Sequence, residues 1–553
     1  MERNSRKIMT TNPHPKKDVK DDKTIANIAD LLAPGWNTKA LRGESFDCLF
    51  QLDGIPLSWF LKRLITAHSI PPSLNTKQLL DQLLKHEIIE YNNTLDRKRK
   101  QLAAIYYANE YAKIKLTHTQ KEINTVPNAL FLTYTDHKNI ATGEIYRINT
   151  LLQLMRTQTD QNLKPLVVTC IPSGKSFMPL LRQQQNYEHL HYGYTTSEIE
   201  AKAKQYAQEL SHTWSLLTEE DKISLFGTAS IWNCLRYAFE FYFSKGFLYI
   251  LVLNYFTFQS ILQNQNIKVC VLTSQNSIFE RCLNAAASKQ NIPTLLIQHG
   301  AGAGSINPEL RVPYNIAVFS EYYKEHLINQ KVSKNNVIVT GPLIFDNLYP
   351  FLSKKEKMVS SKTGPLNVLL LTVPFVEQGY LTKLEYSNLL NRMLSDLEKI
   401  PNTNCIIKPH PRENNIEQYE QLIQNKKNGR TVIIPKTNTK ELYGLMSAAD
   451  IIINFSSTTA IEAMILNKPI ITIVIPTFQN PLSEILHKSN ATLEVNSNQN
   501  IDEAIITLCS NQKYIAQLEK NRKVWALKLA GKVDGKSANK VVNLIYSLVE
   551  KPK

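Results

Sequence analysis

Short apolar runs alternate with helical segments twice along the chain, and this alternation constrains the fold more than any other feature. Such alternation is typical of parallel sheets covered by helices on both faces. A polar, charged stretch at 351–364 separates the two blocks and is predicted to be a linker. The sequence therefore predicts an α/β protein with two doubly wound, Rossmann-like sheets. Strands are predicted at 129–134, 165–170, 269–273, 294–298, 315–319, 337–340, 367–372, 405–408, 431–434, 450–454, 470–474 and 492–495.

Helices are expected between these strands, in the region before the first sheet and in the C-terminal segment. The region before the first sheet is predicted to be mainly helical, with one strand-like run at 46–52 and a long helical stretch at 76–116. The other main helices are predicted at 142–156, 277–289, 321–329, 383–400, 416–424, 440–448 and 481–488. The resulting division is a disordered tail (1–25), a mainly helical region (26–126), an N-terminal Rossmann-like domain (127–350) with a helical insertion (196–263), the linker, a C-terminal Rossmann-like domain (365–500) and C-terminal helices (501–553).

The 553 residues carry a formal net charge of +16. A basic balance indicates an anionic partner, such as a nucleotide or an acidic membrane surface. Basic residues are not interleaved with aromatic ones, so a nucleic-acid partner is not expected. A cluster at 97–100 is interpreted as a solvated helix face or as a contact with anionic lipid.

An uncharged stretch at 246–267 is short for a membrane span and is broken by polar residues. It is interpreted as a buried core helix, with a membrane-lying segment as the alternative. The seven cysteines form no C-x-x-C pair, which favours buried thiols in a reducing compartment. The polar N-terminus lacks the apolar core of a signal peptide, so a cytoplasmic location is expected.

The stretch 450–472 reads as a buried strand, a hydroxyl-rich loop, a short helix and a second buried strand. A strand that passes into a helix N-terminus through small polar residues directs free N–H groups and hydroxyls at one point. Ser456, Ser457 and Thr458 are therefore predicted to hold a phosphate. Thr459 and Glu462 have the spacing of a capping box.

Three further loops follow predicted strands, where ligands of doubly wound sheets bind. The first contains His299 and Gly300, with glycines that let the backbone approach a ligand; the alternative is a mobile turn with a surface histidine. The second contains Gly341, or is a turn into the linker. The third, 408–413, groups cationic side chains around a histidine between two prolines, which suits a diphosphate; the alternative is a rigid loop with surface charges. Its candidate ligands are Lys408, His410 and Arg412.

Several catalytic signatures do not occur. The sequence contains no G-x-x-x-x-G-K-[ST] loop, no G-x-S-x-G elbow and no H-E-x-x-H pair. No metal site and no cofactor are predicted.

These motifs together resemble the bacterial GT-B glycosyltransferases of surface and capsular polysaccharide synthesis. The similarity extends to His-Pro-motif polysialyltransferases, capsule transferases and CDP-glycerol glycerophosphotransferases, and covers about residues 265–550. It rests on 298–300, 408–411, 450–457, 461–463 and 467–469. A Gly-Pro-Leu-Ile-Phe-Asp run at 341–346 is similar to a family element with altered order, and 534–537 is similar to the segment that crosses back to the N-terminal domain.

The resemblance implies a GT-B fold whose two domains face a cleft. It places a nucleotide-activated donor in the C-terminal domain, with His410, Ser456 and Ser457 on its phosphates. Glu462 would hold the ribose or support the loop. His299 would act as general base on the acceptor hydroxyl, and Asp136 is the rival base.

The preferred function is an inverting, metal-independent glycosyltransferase or sugar-phosphate transferase. It would act on a surface-polysaccharide or lipid-linked acceptor at the inner face of the bacterial inner membrane. The alternative is a UDP-sugar 2-epimerase or hydrolase of GT-B fold, and a third interpretation is a non-catalytic nucleotide- or glycan-binding relative.

Overall fold

The fold comes from a computed structural model that describes most of the two α/β blocks. The described residues are 40–41, 43–61, 125–137, 144–145, 147–158, 162–171, 189–225, 232, 236, 239–275, 277–300, 314–352, 364–378, 380–413, 416–424, 430–435, 437–476, 478 and 481–550. The predicted tail at 1–25, the helices at 76–116 with the basic cluster at 97–100, and most of the linker lie outside them.

The N-terminal domain contains a parallel seven-stranded sheet with the order β11-β10-β9-β8-β5-β6-β7. Its strands are β5 (Asn128–Tyr134), β6 (Lys164–Cys170), β7 (His189–Leu190), β8 (Ile267–Leu272), β9 (Thr294–Ile297), β10 (Asn315–Val318) and β11 (Val337–Val339). The chain first builds outward from β5 to β7 and then restarts on the other side of β5 with β8. The strand order therefore reverses between β5 and β8, which creates a crevice at their carboxyl ends.

The region before this sheet adds a short helix and two hairpins rather than the strand predicted at 46–52. Ser45 accepts a hydrogen bond from the Cys48 N–H and so caps α1 (Phe46–Leu49). The hairpin β3–β4 (Gln51–Leu52, Ile55–Pro56) then turns through Asp53 and Gly54, both at positive φ, as an Asp-Gly hairpin turn requires. The other hairpin pairs β1 (Ala40–Leu41) with β2 (Glu44–Ser45).

The helices of the N-terminal domain cover both faces of its sheet. They are α2 (Asn149–Thr157), α3 (Ser197–Leu216), α4 (Glu219–Ser224), α5 (Lys245–Asn264), α6 (Ile278–Lys289) and α7 (Glu321–Asn329). The helix predicted from 142 begins only at Asn149, because Arg147 has a φ of 72° and cannot continue a right-handed helix.

Helix α5 is the uncharged stretch that the sequence singles out. By length and composition it could cross a membrane, but 78% of its apolar window is buried inside the protein. It packs between α3 and α6, and the Tyr255 hydroxyl on it donates to Asp53 Oδ2 at 2.7 Å. In this structure α5 is therefore a core helix that also anchors the β3–β4 hairpin.

The C-terminal domain contains a second parallel sheet, of six strands, with the order β14-β13-β12-β15-β16-β17. The strands are β12 (Leu366–Leu371), β13 (Thr403–Lys408), β14 (Thr431–Ile433), β15 (Ile451–Asn454), β16 (Ile470–Val474) and β17 (Leu493–Asn496). Its helices are α8 (Phe375–Gln378), α9 (Lys383–Glu398), α10 (Glu417–Gln424), α11 (Thr439–Ala448), α12 (Thr459–Ile465), α13 (Pro481–Ser489), α14 (Asp502–Ser510), α15 (Gln512–Ala530) and α16 (Ser537–Glu550). Here the order reverses between β12 and β15.

The last helix, α16, returns to the N-terminal domain and packs against α2. Its Val541, Val542 and Ile545 are fully buried in one cluster with Ala129 and Phe131 of β5. The Asp346 carboxylate, at the end of the N-terminal domain, accepts hydrogen bonds from the N–H groups of Ser537 and Ala538 at 3.2 and 2.7 Å. The negative charge at the start of α16 also suits the helix dipole.

Candidate active site

The predicted site residues lie at the carboxyl ends of strands around the two points where strand order reverses. His299 follows β9 in the N-terminal sheet, His410 follows β13, and Ser456 follows β15 in the C-terminal sheet. Strand β12 lies between β13 and β15, so the last two loops flank one crevice.

His299 lies partly buried beside three potentially cationic groups. The pKa of its imidazole is lowered to about 4, chiefly by burial and also by the charges of Arg147, His137 and Arg412. A hydrogen bond from the ring to the backbone of Thr273 opposes these effects. The imidazole is therefore neutral near pH 7 and can accept a proton.

Arg412 belongs to the C-terminal domain, yet its charge acts on His299 of the N-terminal domain. The loops after β9 and β13 therefore face each other. The two strand ends therefore lie within electrostatic reach of each other.

His137 and Arg147 are site residues that the sequence analysis missed. His137 ends the 3₁₀ turn Thr135–His137 directly after β5, with its ring 5.2 Å from that of Tyr134. Its position after a predicted central strand was a usable signal, but Asp136 was chosen there instead. The backbone of Asp136 lies in the same turn, and its side chain lies outside the described residues, so its role as rival base stays a prediction.

The His-Pro loop is held by a buried carboxylate that the sequence analysis did not assign. Glu413 Oε1 accepts from the His410 N–H at 3.1 Å and from the Thr372 hydroxyl, while the Tyr419 hydroxyl donates to Oε2. Thr372 Oγ1 also accepts from the His410 N–H at 3.0 Å. The end of β12 thereby fixes the loop that follows β13.

These contacts also define the hydrogen-bonding state of His410. The Arg412 N–H donates to its Nδ1 at 3.1 Å, so the proton of the neutral ring is carried by Nε2. The pKa of His410 is lowered to about 4, chiefly by burial and also by the charges of Arg412 and Lys408, while Glu377 opposes this shift. His410 thus presents an N–H donor rather than a full charge.

Lys408 is engaged inside its own domain. Its Nζ donates to the carbonyls of Pro409 at 2.7 Å and of Pro435 at 3.5 Å. Burial lowers its pKa, and Glu413 opposes that effect. The observed contacts hold two strand ends together, while a contact with phosphate stays a prediction.

The loop after β15 has a geometry different from the predicted capping box. Ser456 has a φ of 53°, and its N–H donates to Asn454 Oδ1 at 2.9 Å. The N-cap of α12 is Thr458 instead of Thr459, without a side-chain cap bond, and the Ser457 and Thr459 hydroxyls lie 2.5 Å apart. The capping-box prediction is wrong because the left-handed Ser456 advances the start of the helix by one residue.

Glu462 is buried below this loop instead of reaching back to its start. Its Oε1 accepts from the Tyr443 hydroxyl at 3.1 Å, and its Oε2 has no partner among the described residues. Burial raises its pKa from 4.5 to about 7, and the bond from Tyr443 opposes this shift. The Tyr443 hydroxyl also lies 3.1 Å from the Ile344 carbonyl, which follows the N-terminal sheet.

The two predicted glycines occupy different surroundings. The Gly300 carbonyl accepts from Gln298 Nε2 at 2.8 Å, and Gln298 Oε1 accepts from the Phe319 N–H at 2.9 Å, so Gln298 ties the loop of His299 to the end of β10. Gly341 has a φ of 91°, and a Cβ there would lie 2.6 Å from Ser537 Oγ. Its observed contact is with the start of α16, and a nucleotide contact stays a prediction.

The arrangement suits an anion with two phosphates. Arg412 and Arg147 provide positive charge, His410 provides a neutral donor, and His299 provides a neutral acceptor. Within the described ranges, no three His, Cys, Asp or Glu side chains are grouped as metal ligands.

Comparison with known protein families finds a match over part of the chain. Residues 315–546, less than half of the chain, match the family profile of UDP-N-acetylglucosamine 2-epimerase. No curated protein sequence matches the chain.

Similar solved structures include both epimerases and glycosyltransferases. S. aureus MnaA in complex with UDP is 12% identical, covers 78% of this chain and 99% of its own, and has a TM-score of 0.48. The UDP-GlcNAc 2-epimerase of Neisseria meningitidis, bound to UDP-GlcNAc, is 15% identical over 76% of this chain and 100% of its own, with a TM-score of 0.46. Acinetobacter baumannii MurG has the same identity and coverages and a TM-score of 0.42.

With TM-scores below 0.5, the fold is assigned from the topology of the chain itself. Two doubly wound parallel sheets, facing strand-end loops and a returning C-terminal helix are the features of a GT-B fold. The chain is a protein of GT-B fold.

Proposed function

We propose that the cleft binds a UDP-activated sugar and breaks the bond between its anomeric carbon and the diphosphate. The observation that carries this proposal is the position of Arg412 and His410 opposite His299, on strand ends next to the points where the order of each sheet reverses. The match over 315–546 supports the nucleotide, since it includes the whole C-terminal sheet.

The chain's own residues supply two parts of the chemistry. When the anomeric C–O bond breaks, negative charge develops on the departing diphosphate. Arg412 and the Nε2–H of His410 stabilise this charge, and the hydroxyls of Ser456 and Ser457 add donors. His299, neutral at pH 7, removes a proton on the N-terminal side of the cleft.

The reaction that the family match favours is 2-epimerisation, or hydrolysis, of the UDP-sugar. In 2-epimerisation a base removes the C2 proton as the C1–O bond to the diphosphate breaks, which leaves a 1,2-unsaturated sugar and UDP. A proton donor then returns a proton to the opposite face of C2 while UDP re-forms the bond at C1; in hydrolysis water adds at C1 and UDP is released. In this reaction His299 is the base.

Glycosyl transfer is the second candidate, and a structural observation favours it. The N-terminal domain carries the hairpin β3–β4 and helix α3 in addition to its sheet, and much of α3 is exposed, which provides additional surface for an acceptor. In that reaction His299 removes the proton from an acceptor hydroxyl.

Incubation with UDP-GlcNAc in D₂O separates the two reactions. Epimerisation incorporates deuterium at C2, which proton NMR detects, and hydrolysis releases UDP without an acceptor. UDP release only when a glycan or lipid-linked acceptor is added would identify a transferase. Absence of both turnover and UDP binding would contradict the proposal.

The role of His299 is tested separately. We expect His299→Gln to lower kcat by at least about 100-fold while UDP affinity changes little, because a base acts in the chemical step. If His299→Gln retained turnover and Asp136→Asn abolished it, Asp136 would be the base.

A further inference from the structure

Helix α15 presents one face to solvent that combines apolar and basic side chains. Its opposite face is buried, with Leu518, Arg522, Leu529 and Ala530 packed inside the protein. On the outer face, Val524 is 57% exposed and Leu527 is 64% exposed. Large aliphatic side chains with such exposure are unfavourable on a helix that contacts only water.

Lysines surround these two apolar residues. Four lysines are exposed on this helix: Lys513, Lys520, Lys523 and Lys528. They are separated by seven, three and five residues, so they lie on or next to the helix face that carries Val524 and Leu527. Glu519, whose side chain is 33% exposed, is the only acidic residue in the helix and pairs with Lys523 at 2.6 Å. Within the described part of the chain, no ion pair is formed by Lys513, Lys520 or Lys528.

Aromatic rings flank the face. The Lys528 ammonium lies 4.2 Å from the Trp525 ring centroid and 4.9 Å from that of Tyr322, and Tyr514 is 38% exposed. Lysines whose stems lie along rings and aliphatic groups while the charges stay in water are suited to the boundary between lipid headgroups and acyl chains.

We infer that this face of α15, defined by Lys513, Lys520, Val524, Leu527 and Lys528, docks on an anionic lipid bilayer. The composition distinguishes lipid from protein, because protein interfaces are depleted in lysine and enriched in arginine and aromatic residues. A symmetric dimer through this face would bring like charges together. Anionic headgroups complement the lysines, and Val524 and Leu527 enter the headgroup region.

The inference goes beyond the proposed function, since it concerns a surface on a different element and is measured without nucleotide. The full chain is sedimented with vesicles of phosphatidylcholine containing phosphatidylglycerol, and with vesicles of phosphatidylcholine alone. Binding is expected only to the anionic vesicles and is expected to weaken with salt.

The double variant Lys513→Gln/Lys520→Gln tests the face itself. Each lysine near an anionic surface contributes about fivefold in affinity, equivalent to about 1 kcal/mol, so the double variant is expected to bind about 25-fold more weakly. Leu527→Gln is expected to weaken binding further. Matched controls are Lys268→Gln/Lys440→Gln, which removes two exposed lysines elsewhere, and Leu384→Gln, at a side chain that is 70% exposed.

Four outcomes overturn the inference. One is the absence of binding to anionic vesicles, and another is equal weakening in the face and control variants. The third is unchanged binding in the face variants, which would assign lipid contact to another part of the chain, such as the basic cluster at 97–100. If the face variants instead abolished self-association in analytical ultracentrifugation, the face would be an interface between copies.

Discussion

At the scale of single residues, the two histidines of the cleft are neutral for the same reason but suited to different tasks. Burial beside cationic groups lowers both pKa values to about 4. The Arg412 N–H donates a hydrogen bond to Nδ1 of His410, so the ring proton is on Nε2 and Nε2–H is available as a donor. The positive charges around His299 hold it in its basic form.

Loss of the His410 donor is predicted to weaken nucleotide binding. We expect His410→Ala to reduce UDP affinity about 10- to 100-fold, because a hydrogen bond to a charged group contributes about 1.5–3 kcal/mol. Isothermal titration calorimetry measures the change. His487→Ala, at a histidine whose side chain is 77% exposed and paired with Glu494, is the matched control and should leave affinity unchanged. Equal affinity in both variants would remove His410 from the site.

The buried carboxyl of Glu462 is expected to make the stability of the folded protein depend on pH. Because burial raises its pKa from 4.5 to about 7, the folded state favours the protonated carboxyl. Its contribution to stability is therefore present below pH 4.5 and is lost as the pH rises through about 7. We expect Glu462→Gln to raise the melting temperature relative to the unsubstituted protein by a few degrees at pH 8 and to change it little at pH 4.5.

Differential scanning fluorimetry at both pH values checks this difference between the two proteins. Comparing them cancels the opposite effect of His299 and His410, whose lowered pKa values cost stability as the pH falls from 6.5 towards 4. The Tyr443 hydroxyl can still donate to the amide oxygen of the substituted side chain. A pH-independent effect of the substitution would show that Glu462 is not titrating in this range.

At the scale of elements, the His-Pro loop depends on a neighbouring strand. Thr372, after β12, joins the His410 N–H to Glu413. Thr372→Val keeps the shape and removes both bonds, so we expect a loss of about 1–3 kcal/mol in unfolding free energy, together with weaker UDP binding. Urea unfolding and calorimetry measure the two effects. Thr213→Val, which removes a hydroxyl bond within α3, should affect neither by more than about 0.5 kcal/mol.

The junction between β11 and α16 is predicted to tolerate no side chain at Gly341. Gly341→Ala adds a Cβ 2.6 Å from Ser537 Oγ at a φ of 91°. Gly43 has a similar φ of 89° with nothing within 4 Å of its Cβ position, so Gly43→Ala isolates the backbone strain. In urea unfolding we expect Gly341→Ala to lower the unfolding free energy by about 1–3 kcal/mol more than Gly43→Ala does. Equal losses would mean that the contact with Ser537 adjusts freely.

At the scale of the whole molecule, the final helix completes a core that begins some 400 residues earlier. Ile545 of α16 is fully buried with Phe131 of β5. We expect Ile545→Ala to lower the unfolding free energy by about 2–5 kcal/mol. Ile506→Ala, at an isoleucine that is 55% exposed on α14, is the matched control, and its effect should stay near 0.5 kcal/mol. Equal effects would show that α16 is not part of the N-terminal core.

Local patterns were enough to predict the α/β class, the loops that carry His299, His410 and Ser456, and the strands of both sheets except the two-residue edge strand β7 (His189–Leu190). Apolar β-branched runs and turn residues act over a few positions, so they can be recognised in the sequence alone. The same reasoning failed at 46–52 and at the start of α2, where a cap at Ser45 and the left-handed Arg147 decide the backbone.

Only the tertiary structure decided which of these loops form one site. The charge of Arg412 in the C-terminal domain acts on His299 in the N-terminal domain. Within the C-terminal domain, Thr372 joins Glu413 to the His410 N–H, and the Tyr443 hydroxyl donates a hydrogen bond to Glu462. The tertiary structure also places the Lys408 ammonium against two backbone carbonyls and the charges of His137 and Arg147 near His299. The physical reason is that strand order, not sequence distance, determines which strand ends become neighbours, and no local pattern encodes that order.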